Sequence, residues 1–577
     1  MKQKLIQRES SAWESLPEAW PNSLRKILAA RGIQSEADLN YDLADLPKTD
    51  LLMGMTKAVE LLATAVTEQW KIMIVADFDT DGATSCAVAI RGLRAMGASN
   101  LDYIVPNRFV HGYGLTAELL ADIPTHEQPD LLLTVDNGIA SIEGVKAAHD
   151  RGIKVLVTDH HLPGEQLPDA EAIVNPNQHG DTFPSNNMAG VGVCFYLLLG
   201  LRQQLRSQSW FEQQNIDIPK LNTLLDLVAL GTVADVVPLD KLNRTLVNLG
   251  LARLRAGRAC AGINALIQVS GRDSHSLSAP DLGFSIAPRL NAAGRLEDMS
   301  IGIETLLTDD ISTALSSATL LDDINKQRRD VEQEMQTQAL SMLDNMSFDS
   351  GKLPLGYCLY DEHWHQGVIG LLASRIKEKQ HRPVIAFAPG NEGEIKGSAR
   401  SIPGIHIRDV LALVASQAPT GLLTRFGGHA MAAGMTIAKK DLAVFEQLFL
   451  SVLKQTTDPS VLQQELLSDG ELSAGEISLP LAELLPTAAP WGQGFSEPLF
   501  HGRFKIDSLR SVGQQQDHLR LTVSLSDGRS VTAMAFRQQQ PDWLDIGGEV
   551  LLTYRLAVND FRNQRAVQLI VDKILKP

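Results

Sequence analysis

The sequence predicts an α/β protein of several domains: a parallel-sheet domain, a long connecting helix, a second α/β domain and a C-terminal β-barrel. Three observations carry this. From about Leu51 to Asn177 short apolar runs alternate with helical segments, the pattern of βαβ units. Residues 303–350 contain neither Gly nor Pro, which suits one or two long helices. Beyond Pro498 the pattern changes to short alternating segments separated by turns, as in an all-β module.

The chain has 577 residues, more than one core supports, so about three or four domains are expected. An apolar content of 44% with 21% charged residues is ordinary for a soluble protein. There is no apolar run of about 18 residues, so no membrane span is expected. The N-terminal MKQKLIQRESSAWESL lacks the apolar core of a signal peptide. Cys86, Cys194, Cys260 and Cys358 are scattered and show no CxxC spacing, consistent with reduced thiols and a cytoplasmic setting. A net charge of -16 argues against general polyanion binding, yet leaves room for a locally basic channel.

Residues 1–48 read as an N-terminal extension, with helical spacing in PNSLRKILAARGI up to Gly32. The first large domain, 49–302, has candidate strands at Lys71–Val75, Asp102–Val105, Leu131–Val135, Lys154–Thr158 and Ala172–Val174, with helices at Thr84–Met96 and Ser141–Asp150 between them. Ligands of such sheets gather at the carboxyl ends of strands, and that is where the polar residues fall. Asp77, Asp79, Asp81 and Gly82 follow the first strand, Asp136-Asn137-Gly138 the third, and Asp159-His160-His161 the fourth. Three carboxylates within five residues repel one another and lose hydration, and a bound cation is the usual remedy. In LNTLLDLVALGTVADVVP an apolar helix runs to Gly231, and Asp235 follows among Val233, Ala234, Val236 and Val237. A carboxylate in that setting is a further candidate ligand. In Asp281–Leu296 the small residues around Arg289, Asn291, Gly294 and Arg295 suit either close approach to a phosphate chain or a tight packing turn.

The connecting helix spans 303–350, with Leu320, Ile324, Val331 and Met335 at helical spacing. Asn325, Gln327, Arg328 and Arg329 read as a solvated face or as side chains turned to a cleft. The second α/β domain, 351–457, has strands at Gly356–Tyr360 and Val384–Phe387 and a helix at Val368–Lys379. Its glycines stand beside Ser398, Arg400 and His429, which suits backbone amides near phosphate oxygens. A linker region rich in Leu, Ser and Pro covers 458–497. Residues 498–577 read as five short strands in an OB-like barrel. That segment has eleven Lys and Arg against eight Asp and Glu, a local reversal of sign that fits a strand-binding module. Phe504, Tyr554 and Phe561 are either stacking residues for it or barrel core.

Asp77-x-Asp79-x-Asp81-Gly82 also matches the first half of an EF-hand loop. That loop requires Glu at its twelfth position, where Val88 stands, and a preceding helix where a strand is expected. The adjacent His160 and His161 move the metal preference toward Mn²⁺, or Mg²⁺ with weak imidazole coordination. Four acidic clusters exceed the need of one cation, so two ions about 3.5–4 Å apart are expected, an arrangement suited to phosphoester hydrolysis by activated water.

DFDTDG, the DNG at Asp136, DHH at Asp159 and VADVVP at Asp235 resemble the four motifs of the DHH phosphoesterases. GGHAMAAG at Gly427 is similar to the companion DHHA1 motif. PNRFVHGYGL, APRLNAAGRL, WHQGVIG and GSARS resemble the RecJ family of single-strand-specific DNA exonucleases, over roughly residues 70–577. The resemblance implies 5′-to-3′ release of mononucleotides from single-stranded DNA with Mn²⁺ or Mg²⁺, in DNA repair and recombination. It implies Asp79, Asp81, Asp136, His160 and Asp235 as metal ligands, with Asp77 as a ligand or an outer group. Asp159 would orient an imidazole, and His161 would contact the scissile phosphate. Arg108, Arg289, Ser398 and Arg400 would hold the terminal 5′-phosphate or its neighbours, joined by Gln327 and His429. A single-strand-binding protein and a helicase are the expected partners. The readings set against this are a DHH hydrolase of short oligonucleotides, cyclic dinucleotides or pyrophosphate, and a non-catalytic DNA-binding scaffold. The barrel and the length argue against the first, and the complete ligand set against the second. A path between the two large domains wide enough for one strand would exclude duplex by width.

Overall fold

The computed structural model describes residues 4–345, 354–391, 393–419, 421–423, 425–513, 516–561 and 564–577. The chain divides into two compact units, residues 7–322 with 467–577, and residues 1–6 with 323–466. Strands β1 (Lys4–Gln7) and β12 (Glu465–Ser468) pair where the chain passes between units.

In the larger unit a short helix α1 (Asn22–Ala29) precedes α2 (Met55–Thr67) and a five-stranded sheet. Its strands are β2 (Ile72–Ala76), β3 (Leu101–Ile104), β4 (Leu131–Val135), β5 (Lys154–Thr158) and β6 (Ala172–Val174), each within about one residue of expectation. All pairings are parallel, in the order β3-β2-β4-β5-β6. β2 and β4 are fully buried, so both of their faces must be apolar, which is why the sequence runs were continuous rather than alternating. The chain leaves β2 in one direction to β3 and returns past it to β4. The gap above β2 and β4 is therefore the switch point where ligands of such sheets sit.

Helices α3 (Thr80–Ala95), α6 (Gly190–Ser207) and α8 (Leu225–Ala234) pack together within the main core of the unit. The short helix α4 (Ala117–Ala121) and α5 (Ile142–Asp150) form a second cluster with Met73, Val75, Leu132 and Val155 of the sheet. Further helices complete the unit: α7 (Trp210–Gln213), α9 (Lys241–Arg255), α10 (Ala261–Ser270), α11 (Ala279–Asp281), α12 (Ala287–Leu296) and α13 (Ser300–Leu307). Between α11 and α12 one π-helical turn, Leu282–Ile286, keeps the chain helical. The glycine at 294 serves packing: a Cβ there would lie 1.9 Å from the Phe78 carbonyl oxygen. The stretch is thus helix rather than turn, packed closely on the loop at Phe78.

Helix α14 (Ile311–Asn345) carries the chain from one unit to the other; residues 346–350 of the expected helix lie outside the described residues. Its expected apolar series holds at Ile324 and Met335, which are buried, and fails at Leu320. Leu320 is half exposed, while Ala314, Ala318, Leu321, Ile324 and Met335 are buried. Asn325 and Arg328 are buried rather than solvated. Arg328 donates to Asn325 Oδ1 and to Glu332, both at 2.5 Å, and Glu332 also pairs with Arg375 at 2.9 Å. These mutual bonds are what permit charged groups on that face.

The smaller unit continues with β7 (Tyr357–Tyr360), α15 (Ile369–Gln380), β8 (Val384–Pro389), β9 (Glu394–Arg400), α16 (Ile407–Gln417), β10 (Arg425–Gly428), β11 (Ala432–Ala438) and α17 (Leu442–Thr456). Its mixed sheet runs β10-β11-β9-β8-β7, parallel only between β7 and β8. Residues 458–497 include β12 and helix α18 (Leu479–Ala488), whose Leu481, Ala482 and Leu485 are buried. A closed barrel follows in the larger unit, of β13 (Phe500–Val512), β14 (His518–Ser524), β15 (Ser530–Ala535), β16 (Glu549–Phe561) and β17 (Gln564–Leu575), ordered β13-β14-β15-β17-β16. Phe504 and Tyr554 are buried and meet edge-to-face at 5.6 Å. They are barrel core and not stacking surfaces; the Phe561 side chain lies outside the described residues. No described helix is long and apolar enough to cross a membrane.

Candidate metal centre

The polar strand ends converge at the switch point. Asp79 caps α3, its carboxylate accepting from Gly82 N at 3.1 Å. Asp77 Oδ1 accepts from Phe78 N at 2.7 Å. Asp81 lies in the first turn of α3, and its two oxygens accept from Gly190 N at 2.7 Å and Val191 N at 3.0 Å. The N-terminus of α6 is thus aimed at this carboxylate, where its dipole favours negative charge. Asp136 leaves β4 with φ +63°, a left-handed conformation that Asp tolerates better than most residues. It is buried, and its Oδ1 stands 3.1 Å from His160 Nε2 without hydrogen-bond geometry. His160 Nε2 is also 3.3 Å from Asp235 Oδ2 and 4.0 Å from Asp81 Oδ2. Asp235 reaches the cluster as the residue that closes the C-terminal end of α8.

Four of these carboxyls are pushed up from the usual carboxylate range. Burial is the main cause for each. The charge of Asp79 comes next for Asp77 and Asp81, and that of Asp81 for Asp136 and Asp235. Asp81 is moved to about 7, although two backbone N–H groups pull it down. So much negative charge in one buried place fits a hard or borderline cation. Asp77, Asp79 and Asp136 each offer an atom within 4.8 Å of the others, and so do Asp81, His160 and Asp235. These two groups share no residue. A third combines Asp136, His160 and His161. Oxygen with imidazole is the donor chemistry of Mn²⁺, and carboxylate that of Mg²⁺.

Asp159 and His161 pair beside this cluster. Asp159 Oδ1 lies 2.7 Å from His161 Nδ1 and accepts from His160 N and His161 N, while its Oδ2 accepts from Ile139 N. This contact holds the imidazole in place. Burial alone would lower His161, but the Asp159 contact, with Asp235 and Asp77, raises it to about 9.

The expected phosphate-binding residues stand in different places. The Arg108 guanidinium packs over the Phe78 ring at 4.3 Å; burial lowers its pKa, against the charges of Asp77 and Asp79. Arg289 is buried on α12 and its Nη2 pairs with Asp322 at 2.8 Å. The same helix supports the Asp77–Asp81 loop through Asn291, which accepts from Thr80 N and Oγ1. In the smaller unit Ser398 and Arg400 lie on one face of β9, with Arg400 Nη1 3.0 Å from Ser398 Oγ. Both approach Gly370 in the first turn of α15. Gln327 and His429 are exposed.

Several supporting residues were not anticipated. Tyr113 Oη is 3.2 Å from the Asp136 carbonyl and 3.2 Å from the nearer His161 ring nitrogen. Asn175 and Asn177 donate to the backbone oxygens of His161 and His160. They follow β6 at the same sheet edge, and that position was the available signal. Gly190 opens α6 in AGVGV, a glycine-rich helix start that suits close approach.

Residues 71–232 match the family model for the DHH family N-terminal domain, residues 353–455 that for the DHHA1 domain, and residues 468–573 that for the RecJ OB domain. Fold and centre together define the DHH–DHHA1 class of protein. The single-stranded-DNA-specific exonuclease RecJ of Escherichia coli is 48% identical over 578 residues, covering 100% of both chains. That of Thermus thermophilus is 32% identical over 548 residues, covering 95% of this chain and 74% of the relative. The crystal structure of Thermus thermophilus RecJ in complex with Mn²⁺ matches with a TM-score of 0.80 at 29% identity, covering 100% of this chain and 80% of that one. Its Mg²⁺ complex gives 0.75 at 28% identity, covering 100% and 78%. The chain belongs to the RecJ family.

Proposed function

We propose that the chain is a metal-dependent exonuclease that degrades single-stranded DNA from the 5′ end to mononucleotides. The observation that carries this is the convergence of Asp77, Asp79, Asp81, Asp136, His160 and Asp235 at the sheet's switch point, in a chain 48% identical to a named single-stranded-DNA-specific exonuclease. Asp79, Asp81, Asp136, His160 and Asp235 hold Mn²⁺ or Mg²⁺, with Asp77 a ligand or a neighbour that orients the loop. Two triads without a common member support two ions. When bound, such ions polarise phosphoryl oxygens and lower the pKa of water. The chain's own contribution is position. Asp159 fixes the His161 ring so that its other nitrogen faces the scissile phosphate and donates to it. Arg108 and Arg289 are the candidate phosphate contacts of the larger unit. In the smaller one Ser398 and Arg400 at the start of α15 form a cationic, helix-terminal setting for a phosphate, with Gln327 and His429 as further candidates. The barrel's net positive charge supports binding of the following strand.

The test uses single strands labelled at either end, with and without a 5′-phosphate, in Mn²⁺ or EDTA. Labelled mononucleotide is expected first from the 5′ label, only with metal, and faster with the 5′-phosphate. First release from the 3′ label would reverse the polarity, and no release would favour a scaffold.

A pH prediction follows from the raised carboxyls. Asp81 moves from about 3.9 in the unfolded chain to about 7 in the folded one. Its contribution to stability is full below the unfolded value and is lost as pH rises through the folded value. His161, raised to about 9, acts in the same direction at higher pH. The metal-free protein is therefore expected to weaken above about pH 4. Mn²⁺ neutralises the repulsion where the carboxyls are ionised and competes with protons where they are not. Saturating Mn²⁺ should raise the melting midpoint by about 1 °C or more at pH 8, the effect of roughly 1 kcal/mol on a unit of this size, and by less at pH 5. An equal or larger rise at pH 5 in a thermal-shift series would contradict this.

A further inference from the structure

The turn that delivers Asp235 is strained on its far side. Val236 adopts φ +62°, a genuine outlier for a β-branched residue. Its side chain is 63% exposed, so its own packing does not hold it there. The chain on either side does. Asp235 N donates to Gly231 O at 3.0 Å, which ties the turn to buried α8. Beyond Val236 the backbone is gripped at two successive carbonyls. Pro238 O accepts from Asn243 Nδ2 at 2.9 Å, and Leu239 O accepts from Arg244 Nη1 at 2.9 Å.

The remaining grip comes from a distant part of the sequence. Leu239 N donates to Gln493 O at 2.7 Å. Gln493 belongs to a tight turn, Trp491–Phe495, closed by reciprocal bonds between Gly492 and Phe495 at 2.9 and 3.1 Å. Phe495 is buried, stacks on Trp491 with ring centroids 5.3 Å apart, and carries the Arg244 guanidinium 4.5 Å above its ring. The residue that holds Leu239 O is thus itself held by the turn that holds Leu239 N. Gly492 and Gly494 lie so close to Leu239 and Pro238 that a Cβ would meet them at 2.6 and 3.4 Å. The turn is anchored in its own right. Arg31 packs over Trp491 at 5.3 Å and pairs with buried Asp469 at 2.7 Å.

We propose that the Trp491–Phe495 turn is a positioning element for the metal centre, holding the Val236–Leu239 backbone so that the Asp235 carboxylate stays in the cluster. Metal affinity then depends on the segment that leads into the barrel. This rests on Asp235 being a metal ligand, and the experiment separates the two.

Mn²⁺ binding to the full chain is measured by calorimetry, with melting midpoints, for Phe495→Ala, Phe495→Leu, Asp235→Asn and Val523→Ala. Val523 is a buried barrel residue on β14 and serves as a control for destabilisation elsewhere. Phe495→Ala should weaken Mn²⁺ binding by about tenfold, the lower end of what groups supporting metal ligands contribute. Phe495→Leu, which keeps burial but loses the ring under Arg244, should weaken it less and still measurably. Val523→Ala should lower the midpoint without weakening Mn²⁺ binding. Should both Phe495 variants bind Mn²⁺ like the unaltered chain, or no worse than Val523→Ala, the turn has no positioning role. Should Asp235→Asn bind Mn²⁺ with unaltered affinity, Asp235 is not a ligand and the proposal falls with that reading.

Discussion

Asp136→Asn is expected to reduce mononucleotide release by about a thousandfold or more while leaving single-strand binding largely intact. A metal site supplies several kcal/mol of charge stabilisation to the reacting phosphate, and each 1.36 kcal/mol is about a factor of ten in rate. Asp136 is the shared member of two of the three candidate ligand groups, so its loss weakens both. Asparagine is the informative replacement because it tolerates the left-handed backbone, here at φ +63°, and keeps the side-chain volume. It also removes one of the charges that repel the neighbouring carboxylates. The metal-free variant should therefore melt no lower than the unaltered chain, even as its activity collapses. Retained turnover would remove Asp136 from the centre, and a large fall in the metal-free midpoint would show a structural role instead.

The parts of this centre that could be read in the sequence are those where local chemistry and strand position coincide. Buried parallel strands are continuous apolar runs, and the residues that follow them stand at the ligand-binding edge. Asp77–Asp81, Asp136 and Asp159–His161 were visible on that ground. What was hidden depends on contacts between distant residues. Gly190 N donates to Asp81 across 109 positions, and Asn291 reaches Thr80 across 211; no local periodicity records either. The ion pair of Arg289 was hidden for the same reason, since its partner Asp322 lies on another helix. Barrel aromatics show a second limit. Alternation identifies a strand but not which parity faces inward, and Phe504 and Tyr554 proved to be inside. On α14 the expected apolar series misplaced Leu320. The buried face there combines Leu321, Ile324 and Met335 with alanines and with the Asn325–Arg328–Glu332–Arg375 network, and apolar spacing does not reveal the last two.

Gly190→Ala is expected to cost most of the activity without altering any titratable group. In an isolated helix alanine is favoured over glycine by about 1 kcal/mol, so propensity alone predicts stabilisation. The site predicts the opposite. A Cβ at 190 would lie 2.5 Å from both Cβ and Oδ1 of Asp136 and 2.7 Å from its Cγ. Because Asp136 Cβ is fixed to a buried strand end, rotation of the carboxylate alone cannot relieve the clash. Either Asp136 or the start of α6 must move, and the latter carries the N–H groups that hold Asp81. Both outcomes separate candidate ligands whose donor atoms now lie within 4.8 Å of one another. Overpacking of this kind costs about 1–3 kcal/mol in stability, so the variant should fold with a lowered midpoint. Mn²⁺ affinity should fall by about tenfold or more, as when supporting groups of metal ligands are lost. Calorimetric Mn²⁺ titration beside the end-labelled nuclease assay distinguishes this from general destabilisation. A variant that melts lower yet binds Mn²⁺ and cleaves normally would show that the contact between α6 and Asp136 has slack, and that the centre does not depend on a glycine there.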